Sequence, residues 1–182
     1  MVFEIVRHIL PKFFKNLDYD PDMSFYLIAF DSRTEMFKLK ISDLITFELH
    51  DAFSTNMAPA IEKLNQLFKE FKKKEIDSLR ILTISDGEVE DREKTKLVGD
   101  ELGKFALSCN FSINSQAVRF FTSDSQPDTA ALCTLLQLNN FHRSHLIDIN
   151  AKHKHSEIAL QMSELFANDG LMAHNQLRSD EA

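Results

Sequence analysis

Tryptophan is absent from the 182 residues, and glycine and proline occur only four times each. So few turn-forming residues exclude a collagen-like, low-complexity or largely disordered chain. Cysteine occurs twice, at Cys109 and Cys133, both in apolar surroundings. A disulfide framework is therefore not the scaffold, and the two read as buried free thiols of an intracellular, cytoplasmic protein. The sequon Asn110-Phe111-Ser112 is then a chance match. No apolar run approaches the length of a membrane span. The N-terminal MVFEIVRHILPKFF carries Glu4, Arg7 and His8 inside its apolar run, which marks an amphipathic helix and not a signal peptide. A basic excess is lacking too: the formal charge is −7. The one basic cluster, Lys69 to Lys74, falls at the end of a predicted helix, where the macrodipole favours cations. Neither nucleic acid nor membrane is an expected partner.

What is present suits one globular domain. Sixteen phenylalanines supply core material, with 43% hydrophobic and 27% charged residues overall. The domain is expected over residues 1–170, with a flexible tail over 171–182.

Val2, Val6, Ile9, Leu10, Phe13, Phe14 and Leu17 recur at helical spacing, and Pro11 is expected to kink that helix. FYLIAF, Phe25 to Phe30, is a continuous apolar run that suits a strand buried on both faces. Thr34 to Ile41 alternates as an exposed-edge strand does. Met57, Ile61, Leu64, Phe68 and Phe71 make a helical stripe. Leu79 to Ile84 reads as a strand. A helix follows, with Leu97, Val98, Leu102, Phe105 and Ala106 expected inward. Ile113 to Phe121 and His145 to Ile149 read as strands, separated by a helix from about Ser125 to Leu138. A last helix is expected over Ile158 to Phe166. Strands alternating with helices imply an α/β fold: a layered α/β/α domain with a mostly parallel sheet and one antiparallel edge strand.

Two acidic or hydroxyl-rich stretches stand at predicted element ends. ILTISDGEVED, Ile81 to Asp91, drives Asp86, Gly87 and Glu88 off the end of a strand. Ligands of open α/β sheets bind beyond the carboxyl ends of the strands, so Asp86 lies on that rim. FSTNMAPAIEKL, Phe53 to Leu64, sets Ser54 and Thr55 just before a helix. A carboxylate and a hydroxyl suit a hard cation such as Mg²⁺. Each also has an ordinary role, Thr55 as a helix N-cap and Asp86 as a turn residue. His142, His145, His153 and His155 cluster in sequence but lack the spacing of a zinc site. Asp86 and Glu88 could also serve as paired carboxylates in a metal-dependent hydrolase. No nucleophile, base or phosphate cradle accompanies them, so no catalytic residue is assigned.

Together, TNMAPAI (Thr55 to Ile61) and ILTISDGEVED resemble the von Willebrand factor A domain family, which carries similar blocks before a helix and after a central strand. FYLIAFDS, Phe25 to Ser32, resembles the family's second strand and turn, and Ile113 to Phe121 sits where the family has its fifth. The resemblance implies a Rossmann-like fold and a metal-ion-dependent adhesion site. It puts the metal contacts on Thr55 and Asp86 and the partner contacts on Ser54, Gly87 and Glu88. It also implies a protein partner that completes the metal shell with an acidic side chain. The family's Asp-x-Ser-x-Ser loop does not occur in the sequence, and Ser54 replaces the glycine often found before the threonine. The chain is accordingly expected to lack the family's first strand and to bind Mg²⁺ weakly or not at all.

Overall fold

The computed structural model describes residues 4–49, 56–76, 78–86, 89–121 and 145–179. The chain divides into two compact units. One comprises Met1–Phe25, Lys38–Leu49 and Lys152–Ala182, and the other Tyr26–Phe37 and His50–Ala151.

The first unit is helical. A π-helical turn, Ile5–Ile9, runs into α1, Leu10–Asn16. Pro11 stands at this junction. It cannot donate to the preceding turn, so the hydrogen-bond ladder changes pitch there. Ile5, Val6, Ile9, Leu10, Phe13 and Phe14 are buried. A 3₁₀ turn, Ile41–Ile45, adds Ile41 and Leu44. The C-terminal helix of the chain spans His155–Ser179, well past the Phe166 end expected from sequence. Its Ile158, Ala159, Met162 and Phe166 are buried. Phe13 and Phe166 meet edge to face, with ring centroids 5.4 Å apart.

The second unit holds a three-stranded parallel sheet of β3 (Ser78–Ser85), β4 (Ser112–Phe121) and β5 (His145–Asn150), in that order. Two helices belong to it, α2 (Ala58–Lys73) and α3 (Arg92–Ser108). With the C-terminal helix named α4, the chain is a mixed α/β fold, as the alternation of elements predicts.

Met57, just before α2, and Ile61, Leu67, Phe68 and Phe71 of α2 pack with Leu102 and Ala106 of α3 and with Ile113 and Ala117 of β4. The predicted α2 stripe is thus the core face. The α3 stripe differs from expectation: Leu97 is 60% exposed. A helix turns about 100° per residue, which puts Leu97 about 140° from Leu102. The buried face is instead Thr95, Gly99, Leu102, Gly103 and Ala106. Its small residues permit close approach. Within the basic cluster at the end of α2, Lys72 Nζ donates to the Cys109 carbonyl at 2.8 Å.

β1 (Ser24–Phe30) and β2 (Thr34–Lys40) form a hairpin that is a sheet of its own among the described residues, not an edge of the parallel sheet. Every residue of the FYLIAF run is half-buried, where the sequence predicts burial on both faces. A two-stranded ribbon supplies one neighbour only, so it cannot enclose its strands. Tyr26, Ile28 and Phe30 pack against the α2–α3 core, and Tyr26 meets Phe71 with centroids 5.7 Å apart. No described helix is long and apolar enough to cross a membrane.

Candidate functional site

The candidate rim lies where β3 ends. The strand pairs with β4 along its length, from Ser78↔Ser112 to Ser85↔Arg119. Asp86 is the next residue and is exposed. The chain re-enters the core at Val89, which is 3% exposed. Asp86 thus stands at the carboxyl end of the sheet, directly after the last paired residue of β3. Gly87 and Glu88 lie outside the described residues, as do Ser54 and Thr55.

The residues next to them show how the two sequence blocks meet. Asp91 closes the β3–α3 connection, and its carboxylate serves the start of α2. Oδ1 accepts the Met57 amide at 2.8 Å, and Oδ2 accepts the Ala58 amide at 3.0 Å. Oδ1 also accepts the Thr95 hydroxyl at 3.0 Å. Pro59 has no amide proton, and the Ala60 and Ile61 amides donate to the Met57 carbonyl. Every donor in the first turn of α2 is thus accounted for, where helix starts usually leave several open. A negative group here also suits the positive end of the helix dipole.

A third loop joins them. The Asn56 amide donates to the Asp31 carbonyl, in the β1–β2 turn, at 3.2 Å. Met57 and Ala58 of TNMAPAI are therefore linked directly to the last residue of ILTISDGEVED, and the FYLIAFDS turn is tied to the first block. Sequence reading missed Asp91. An aspartate before a helix predicts a cap for that same helix, whereas this one caps a different helix, 34 residues earlier.

The Asp91 oxygens are engaged by three donors, so they add little to a cation's shell. Among the described residues, no group of three histidine, cysteine, aspartate or glutamate side chains is placed to hold a metal ion. Of the histidine cluster in the sequence, His142 lies outside the described residues, and His153 and His155 belong to no such group among the described residues. His155 instead faces His8, with rings 5.4 Å apart, and its Nε2 lies 3.4 Å from Glu4 Oε2.

Further along the same end of the sheet, β4 and β5 pair Arg119 with Asp148. Arg119 Nη2 donates to Asp148 Oδ2, with the arginine side chain 3% exposed and the aspartate 46%.

No family model matches the chain, and no curated protein matches it in sequence.

Proposed function

We propose that this chain is a protein-interaction module resembling a von Willebrand factor A domain, a three-layer Rossmann-like fold that receives its partner at the carboxyl-end rim of the parallel sheet. The observation that supports the reading is the carboxylate of Asp91 bound to the Met57 and Ala58 amides. It draws the loop carrying Asp86 to the helix start that follows Thr55. In this reading Ser54, Gly87 and Glu88 contact the partner, which presents an acidic side chain. Thr55 and Asp86 offer oxygens to Mg²⁺.

The cation is held weakly. One carboxylate and one hydroxyl, with waters, make a poor shell for an ion that prefers further acids. Calorimetric titration is expected to give a Kd of about 1 mM or no heat at all. Micromolar affinity that vanishes in Asp86→Ala would refute this part of the proposal.

Partner capture by the purified chain is expected to fall several-fold in Asp86→Ala. The melting temperature should change by no more than about 2 °C, because the side chain is exposed and lies outside the core. Equal recovery of a partner by wild type, Asp86→Ala and Thr55→Ala would overturn the assignment of the rim. So would phosphatase or esterase turnover that depends on Asp86, which would make the rim an active site.

A further inference from the structure

We propose that Arg119 anchors a binding site for a carboxylate at the carboxyl end of the parallel sheet. The register sets Ser85, Arg119 and Asp148 in one row across β3, β4 and β5. That row is the last of β3 and one of the last of β4, at the end where open α/β sheets take their ligands. Arg119 alternates with Ala117 and Ile113 along β4 and so shares their face of the sheet.

The Arg119 side chain is almost entirely withdrawn from water. Such a charge is tolerated when it is paired and its protons are hydrogen-bonded. Here Asp148 takes Nη2 alone, while Nε and Nη1 are buried without a hydrogen-bond partner among the described residues. Nη2 carries two protons, and one carboxylate oxygen engages one of them. The other lies alongside either Nε–H or Nη1–H, which leaves a complete two-donor edge. That edge matches the two oxygens of a planar carboxylate. Asp148, the residue that holds Nη2, is itself half exposed.

Charge selects among oxyanions. The Arg119–Asp148 pair is neutral as a unit, and the chain carries −7 overall. A singly charged carboxylate meets less repulsion from Asp148 than a phosphate dianion does. The inference does not rest on the partner-binding proposal, because a small anion tests it without any protein partner.

The experiment is a titration with sodium acetate at constant ionic strength, chloride being replaced, followed on the ¹⁵N-labelled Arg119 Nε–H resonance. A saturable shift is expected in the wild-type chain. Asp148→Asn removes the competing carboxylate and should tighten acetate binding several-fold. Arg119→Gln should abolish it. No saturable shift in the folded wild-type chain would overturn the proposal, as would saturation by phosphate but not by acetate. Should Arg119→Gln fail to fold, Asp148→Asn decides: unchanged or weaker acetate binding sinks the idea.

Discussion

Replacing Asp91 by alanine is expected to lower stability by about 3 kcal/mol. The carboxylate accepts two backbone amides and one hydroxyl. A hydrogen bond to a charged group is worth about 1.5–3 kcal/mol net, and loss of a helix cap about 1 kcal/mol. The terms overlap, and water can reach part of this half-buried site, so their full sum is not realised. Asp91→Asn keeps one acceptor oxygen but loses the charge, and about half the penalty should remain. Urea denaturation with an unchanged m-value is the measurement. A loss under about 1 kcal/mol in Asp91→Ala would mean that water replaces the carboxylate and that the loops do not depend on it.

Phe68→Ala should cost about 4 kcal/mol, the usual range for deleting a fully buried aromatic side chain. Phe68 has no exposed surface, and its ring centroid lies 4.3 Å from that of Phe111. Phe111 follows α3 and enters β4, so this contact joins both helices of the parallel unit to the sheet. A double-mutant cycle with Phe111→Ala should give a coupling of about 1 kcal/mol, the size found for aromatic pairs. Strict additivity would show that the rings occupy one core without acting on each other.

Apolar periodicity exposed most of the fold in the sequence. Met57, Ile61, Phe68 and Phe71 recur at helical spacing because one helix face must be buried, and they are buried. The three parallel strands were legible as short strand-like runs, although the first half of Ile113 to Phe121 is polar. Leu97 misled because hydrophobicity was weighed above phase. The face that packs is lined by Gly99, Gly103 and Thr95, whose small size suits close contact. The FYLIAF run misled in another way, since an apolar strand reports what it can bury and not how many neighbours it has.

The site was less legible. Asp86 could be placed at a strand end from local sequence alone. Asp91 could not be assigned its role, because its partners Met57 and Ala58 are neighbours only after folding. Arg119 was not singled out in the sequence, because its pairing with Asp148 depends on a register that no single segment encodes. The expected contacts at Ser54, Thr55, Gly87 and Glu88 lie outside the described residues.

The way α2 begins bears on which small molecules this rim can admit. Exposed amides at the start of a helix are a common receptor for the phosphates of nucleotides and coenzymes. Here Asp91 already holds the Met57 and Ala58 amides, and Pro59 has no proton to give. A phosphorylated metabolite approaching the start of α2 would have to displace an anion that is part of the chain. The same carboxylate that ties the loops together therefore already occupies the place a phosphate would take at this helix.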